Sequence, residues 1–153
     1  MMSKWNNSAE WQALVEGVSC PICLRGYPLN IIKELEVSWL TMFEKQATMR
    51  GYVCLVSKRH VVELHDFTDA EAQAFMRDMR NVSQAVCAAT TCKKMNIEIH
   101  GNTLPHLHVH FFPRYAGDQF EGGAIEPKKA IQPAYKDGEF EQIKQAIINV
   151  LEQ

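Results

Sequence analysis

Three histidines within five residues, His106, His108 and His110, carry the densest chemistry in this 153-residue chain. They lie in Pro105-His106-Leu107-His108-Val109-His110-Phe111-Phe112, where the intervening residues are strongly apolar. Successive side chains of a strand point to opposite faces, so a strand here sets the three imidazoles on one face, about 6.6 Å apart at each i to i+2 step. Leu107, Val109 and Phe111 then anchor the other face in a core. Imidazole titrates near pH 6.5 and in its neutral form is both a nucleophile and a metal ligand. The row is open to nucleophilic catalysis, to a His-x-His metal site of the zinc-hydrolase kind, or to an exposed strand face merely rich in histidine.

The second chemical feature is Cys20-Pro21-Ile22-Cys23. This spacing suits a redox pair or a metal knuckle, or arises by chance. It lies in an N-terminal turn without the strand–helix–strand setting of a thioredoxin-like motif. Zinc would need two more ligands to complete a tetrahedron. Cys54, Cys87 and Cys92 have no partner spacing and read as small core hydrophobes or surface residues. A total of five cysteines, an odd number, argues against a disulfide scaffold.

The elements that must position these groups can be read from periodicity. A short helix is expected over 9–16, with Trp11, Leu14 and Val15 to one side, leading into the Cys20–Cys23 turn. Residues 34–43, with Val37, Trp39 and Leu40, read as one strand, and the apolar run 51–56 as a buried one. Thr68 followed by Glu71 is a capping box. Phe75, Met79, Val82, Val86 and Ala89 then form one apolar stripe, so a long helix runs to about residue 90. A strand over 95–99 alternates Ile97 and Ile99 against Asn96, Glu98 and His100. Gly101, Asn102 and Pro105 mark a tight connection into the histidine strand, 106–112. Residues 114–135 have no periodicity, which suits a functional or partner-contacting loop. A last helix, 137–151, carries Phe140, Ile143, Ile147 and Val150. The order predicts one α+β domain over 1–153: an antiparallel sheet with one long central helix and a C-terminal helix.

Composition narrows the classes. Sixteen basic against 18 acidic residues give a net charge of −2, which offers no field for nucleic acid or an anionic membrane. No run approaches the ~18 apolar residues of a membrane span. The stretch from Met1 to Ser8 lacks the apolar core of a signal peptide, so a cytoplasmic protein is expected.

His106-Leu107-His108-Val109-His110-Phe111-Phe112 resembles the motif of the histidine triad superfamily, in which histidine alternates with apolar residues. Pro113-Arg114-Tyr115, Val56-Ser57-Lys58-Arg59-His60 and Leu64-His65-Asp66-Phe67-Thr68 are similar to segments of its bacterial, hydrolase-like members. The resemblance covers residues 20–117. It implies hydrolysis or transfer of nucleotidyl groups, with cleavage at the α-phosphorus of nucleotide phosphoramidates, dinucleoside polyphosphates or related adenylates. By the same resemblance His108 is the nucleophile and His110 a phosphate ligand, while backbone near His106 orients the nucleophilic ring. Neutral imidazole suits this role, because a nucleotidyl-imidazole splits one hard displacement into two easier ones.

The resemblance also implies further residues. A branch that includes galactose-1-phosphate uridylyltransferase binds structural zinc through two cysteines, an upstream histidine and the first triad histidine; here these are Cys20, Cys23, His60 and His106. Tyr52 stands where the family commonly has a phosphate-contacting histidine, and its hydroxyl adds no positive charge. An active-site amide falls on Asn102 or Asn96, with Asn102 preferred because it directly precedes the catalytic strand. Glu44 is a candidate ribose contact. A homodimer follows from the resemblance alone.

Other residues keep two readings. Lys58 and Arg59 could meet a phosphate or be solvated, and Arg114 could anchor its loop or make a ligand or dimer contact. His65 and Asp66 read as residues leading into the helix, and His100 has no assigned role. Trp39, Met42, Phe43, Phe75 and Met79 read as core, with some available to wall a base pocket. A zinc-stabilised nucleotide-binding or interaction module with little turnover is the alternative to an enzyme, and a hydrolase with zinc held by the triad itself is a third reading.

Overall fold

A computed structural model describes residues 4–153; Met1 to Ser3, the start of the stretch read for a leader, lie outside the described residues. Asn7 caps the first helix, α1 (Ser8–Val15), by accepting from the Glu10 amide. Cys20 precedes the one-turn α2 (Pro21–Arg25), which ends at left-handed Gly26. A five-stranded antiparallel sheet follows, in the order β1-β2-β3-β5-β4: β1 (Ile31–Glu34), β2 (Ser38–Thr41), β3 (Val53–Ser57), β4 (Lys94–Ile99) and β5 (His108–Arg114). Between β3 and β4 runs the long helix α3 (Asp69–Thr90), and α4 (Glu139–Leu151) closes the chain. The mixed α+β class with an antiparallel sheet is the one expected.

The start of α3 follows from its capping box. Thr68 Oγ1 accepts from the Glu71 amide, while Glu71 accepts from the Thr68 amide at 2.8 Å. Phe75, Val82 and Val86 then face the sheet, and Phe140, Ile143 and Ile147 of α4 join them. Leu40, Val53, Leu55, Val109 and Phe111 complete this core from the sheet side. The opposite face is the more open one, with Trp39, Cys54, His108 and His110 only part-buried, and Ile22 of α2 packs there against Val56.

The strand expected over 34–43 is shorter, Ser38–Thr41, and is preceded by an unexpected one, Ile31–Glu34, across a turn. Its cause is distant in sequence: buried Asp78 of α3 accepts from the Val37 amide at 3.1 Å and from Ser38 Oγ at 2.5 Å. Leu35-Glu36-Val37 has no glycine, proline or asparagine to announce a turn. Two other expectations change. Cys87 and Cys92, read as unpartnered, are joined as a disulfide with Cα atoms 5.3 Å apart, inside the usual range. Left-handed Thr91 turns the chain back at the end of α3 and returns Cys92 beside Cys87. Ile97 and Ile99 remain 41% exposed each, because β4 is an edge strand.

Residues 114–135 contain only the short turn Pro127–Lys129. Buried Arg114 organises this stretch: it pairs with Asp118 at 2.8 Å, donates to Asn96 Oδ1 at 2.6 Å, and holds the carbonyls of Gly123 and Phe120. It is a loop anchor. Among the described residues no helix is long and apolar enough to cross a membrane.

Candidate active site and metal centre

The ladder of β5 begins at His108, two residues later than the expected strand, and His106 is drawn aside. Its flanking backbone is still held, since Leu107 donates to Val61 O at 2.7 Å and accepts from Ser57 N at 3.1 Å. The His106 ring is buried and meets Cys20, Cys23 and His60. Cys20 Sγ lies 3.5 Å from His106 Nδ1, Cys23 Sγ 3.2 Å from His60 Nδ1, and Cys23 Sγ 3.7 Å from His106 Nδ1. The two Nδ1 atoms are 3.1 Å apart.

The tautomers give this cluster its meaning. His60 Nε2 donates to Val15 O and His106 Nε2 to Ser57 O, each at 2.8 Å. With the protons on Nε2, both Nδ1 atoms turn lone pairs towards one point, where they cannot bond each other. A tetrahedral ion with Zn–N of ~2.05 Å and Zn–S of ~2.3 Å needs ligand separations of roughly 3.3 Å for N···N and 3.6 Å for N···S. The observed edges fit a closed four-ligand site, and the carbonyls on Nε2 are the outer partners such ligands use. Burial and the adjoining Cys20 push the Cys23 thiol up to about 11. The four residues expected to hold a metal therefore come together as a group that could do so.

On the open face, His108 donates from Nδ1 to His106 O at 2.7 Å, which leaves the Nε2 lone pair outward. The His110 ring lies edge-on at 4.9 Å between ring centres. Burial, then the neighbouring His108 and His100, pull the His110 imidazole down to about 4, so it is neutral at ordinary pH. His106 points into the cysteine cluster and His108 to a carbonyl, so the three rings do not converge on one ion. Beside His110 is a cavity of about 380 Å³, walled by Ile22, Phe43, Tyr52, Leu104 and Arg25 among others. That volume suits a small organic ligand. A larger cavity of about 510 Å³, between β4 and the Arg114 loop, carries none of the histidines.

A model of the HIT domain matches residues 29–117 of this sequence. The chain belongs to the HIT family. An asymmetrical bis(5'-nucleosyl)-tetraphosphatase of Schizosaccharomyces pombe is 31% identical over 80 residues, covering 49% of this chain and 44% of that protein. The nitrilase and fragile histidine triad fusion protein NitFhit of Caenorhabditis elegans is 36% identical over 78 residues, covering 44% of this chain and 17% of that one. The matches thus span less than half the length of these curated relatives. A histidine triad protein of Bradyrhizobium japonicum superposes with TM-score 0.69 at 28% identity, covering 79% of this chain and 89% of that one. A Zn-bound histidine triad family protein of Mycobacterium smegmatis superposes with TM-score 0.62 at 23% identity, covering 89% and 95%.

Within the HIT domain the remaining expected site residues fall in different places. Tyr52 joins the histidines directly, with its hydroxyl 2.7 Å from His110 Nδ1. Burial pushes that hydroxyl well above its usual range, so it donates to Nδ1 and leaves the His110 proton on outward-facing Nε2. Removing the donor strands a part-buried acceptor. Tyr52→Phe is expected to lower stability by about 1–2 kcal/mol and to mix the His110 tautomers. Chemical denaturation and ¹⁵N NMR of the ring nitrogens check both; an unchanged Nε2–H tautomer would show that the hydroxyl does not set it. Glu44 is exposed in the turn Glu44–Gln46, whose neighbours Phe43 and Gln46 line the smaller cavity. Asn102 is exposed between β4 and β5, and Asn96 is engaged by Arg114. Lys58 and Arg59 pair with Glu34 and Glu71, at 2.7 and 2.6 Å.

Sequence reasoning missed one pair on this face. His100, at the end of β4, has its ring centre 5.5 Å from that of His110, and its Nε2 is 2.8 Å from Glu98 Oε2. The signal was present in the alternation of Asn96, Glu98 and His100 opposite Ile97 and Ile99.

Proposed function

We propose that this HIT-family chain is a nucleotide hydrolase or nucleotidyl transferase that works at the α-phosphorus of nucleotide phosphoramidates, dinucleoside polyphosphates or similar adenylates. The observation that carries the reading is the His108 Nδ1–H bond to His106 O, which aims Nε2 out of the sheet. His108 attacks phosphorus and forms a nucleotidyl-histidine, which water then cleaves. His110 donates Nε2–H to a phosphoryl oxygen, supported by Tyr52 on its other nitrogen. The cavity beside His110 takes the base against Ile22, Phe43 and Leu104, with Glu44 at its rim for the ribose and Asn102 above the strand end.

Cys20, Cys23, His60 and His106 would hold zinc as a structural ion, fixing the backbone whose carbonyl orients His108. A closed site has no open position for water, so zinc supplies rigidity there. The unpaired outer edge of β4, with exposed Ile97 and Ile99, supports a homodimer. The net charge of −2 supports a protein with no nucleic-acid partner, and a cytoplasmic location is part of the same proposal.

The second reading, a zinc-stabilised nucleotide-binding or interaction module with little turnover, draws on Tyr52, which adds a donor but no positive charge beside a neutral His110. One experiment separates the two. The purified protein, with its metal content measured, is screened against adenosine 5'-phosphoramidate, diadenosine polyphosphates and nucleotide sugars. Acid-sensitive adducts are trapped and located by mass spectrometry. Turnover with nucleotidyl mass on His108 supports the enzyme; nucleotide binding with no adduct and no turnover supports the module.

A further inference from the structure

The Glu98–His100 pair has no part in the scheme above, yet it borders the proposed reaction centre. Glu98 pairs with His110 across β4 and β5, and Ile99 pairs with Val109. Glu98 therefore shares the open face with His110, and extending the same register by one residue sets His100 opposite His108. Gly101 follows with φ +73°, a left-handed conformation that turns the chain away just past His100. An imidazole paired with a carboxylate on a protein surface is common. This one is distinguished by its place, half-exposed and 5.5 Å from the His110 ring, on the rim of the site.

We propose that His100, held by Glu98, delivers the proton to the leaving group, and that the site is accordingly suited to basic leaving groups, amines or alkoxides, which cannot depart unprotonated. The proposal rests on the nucleotidyl-histidine reading. Glu98 Oε2 accepts from His100 Nε2–H, so in the imidazolium form Nδ1–H is the proton left to face the substrate. In the first step the His108 Nε2 lone pair forms the N–P bond, and the bond from phosphorus to the leaving atom breaks. The released electron pair takes the proton from His100 Nδ1. In the second step water forms the new P–O bond, the N–P pair returns to His108, and a water proton returns to His100 Nδ1. The net change is one water consumed, with His100 and His108 restored. Glu98 is a positioning residue, because it touches His100 and not the substrate.

The test uses two nucleotidyl substrates with the same adenylyl group. One releases an alkylamine and needs a proton; the other releases p-nitrophenolate and does not. Single-turnover release of each is measured with the zinc-loaded protein. His100→Ala should lower the ratio of amine release to p-nitrophenolate release about 10²-fold, in line with the loss of one general acid. Glu98→Gln, which keeps the size of the side chain, should lower the same ratio by a smaller factor. An unchanged ratio overturns the proposal. So does an equal slowing of both substrates, which would mark a structural role. A wild-type chain that forms no His108 adduct with either substrate overturns the nucleotidyl-histidine reading and this one with it. An adduct that forms while the His100→Ala ratio stays fixed overturns this one alone.

Discussion

Replacement of His108 by alanine is expected to lower turnover at least ~10⁴-fold while nucleotide monophosphate binding stays within a few-fold of the parent. The asymmetry follows from what the ring does and does not touch. Its Nδ1 is spent on His106 O, and its Nε2 points outward, so it is free to form a bond to phosphorus. The cavity that would take the base is walled instead by Ile22, Phe43, Tyr52 and Leu104, none of which needs His108. His110 cannot substitute, because Tyr52 fixes its proton on the outward nitrogen and burial keeps the ring neutral. Such a ring can donate a hydrogen bond but has no outward lone pair. Steady-state kinetics, calorimetric titration with a nucleotide monophosphate and adduct mass spectrometry together check this. Turnover unchanged in His108→Ala would rule out the nucleotidyl-histidine route.

How much of this arrangement could be read in advance depends on the range of the interaction concerned. Alternation along 106–112 and the Thr68–Glu71 cap are local, so the triad strand and the start of α3 were legible from the sequence. The split between β1 and β2 was not, because Asp78 imposes it from 40 residues away. The metal cluster lies between these cases. Cys20 and Cys23 advertise themselves, but nothing local connects them to His60 and His106, which are 37 and 86 residues distant through Cys23 and Cys20. Only the family resemblance joined them. His100 belongs to the polar face of its strand in the sequence, but its position beside the triad comes from the register of β4 against β5, which no single strand reveals. Cys87 and Cys92 escaped notice because their pairing depends on left-handed Thr91 reversing the chain.

Removal of a metal held by the Cys20–Cys23–His60–His106 cluster is expected to weaken the fold and the activity together. Cys20 is fully buried and packs with Ile22 and Val56, so the cluster ties the short helix α2 to β3. His60 Nε2 bonds Val15 O, which brings the end of α1 into the same knot. Without an ion, two Nδ1 lone pairs face each other at 3.1 Å with two thiols beside them, so His106 loses the group that holds its ring. Its backbone carbonyl is the acceptor for His108, and loosening it reaches that ring through one bond. A ligand present at a thousand times its Kd stabilises a fold by about 4 kcal/mol, which for a domain of this size corresponds to a fall in Tm of about 10 °C on its loss. Chelation and Cys20→Ser should therefore both empty the site, lower Tm by about that amount and reduce kcat in step. Elemental analysis, differential scanning calorimetry and turnover on the same samples check the three quantities. A metal that took part directly in the chemistry would give a different pattern. Chelation would then stop turnover while Tm held, and Cys20→Ser would keep its metal. The separate directions of His106 and His108 favour the first pattern, because an ion held by the cluster would share a backbone segment with His108 and no coordination shell.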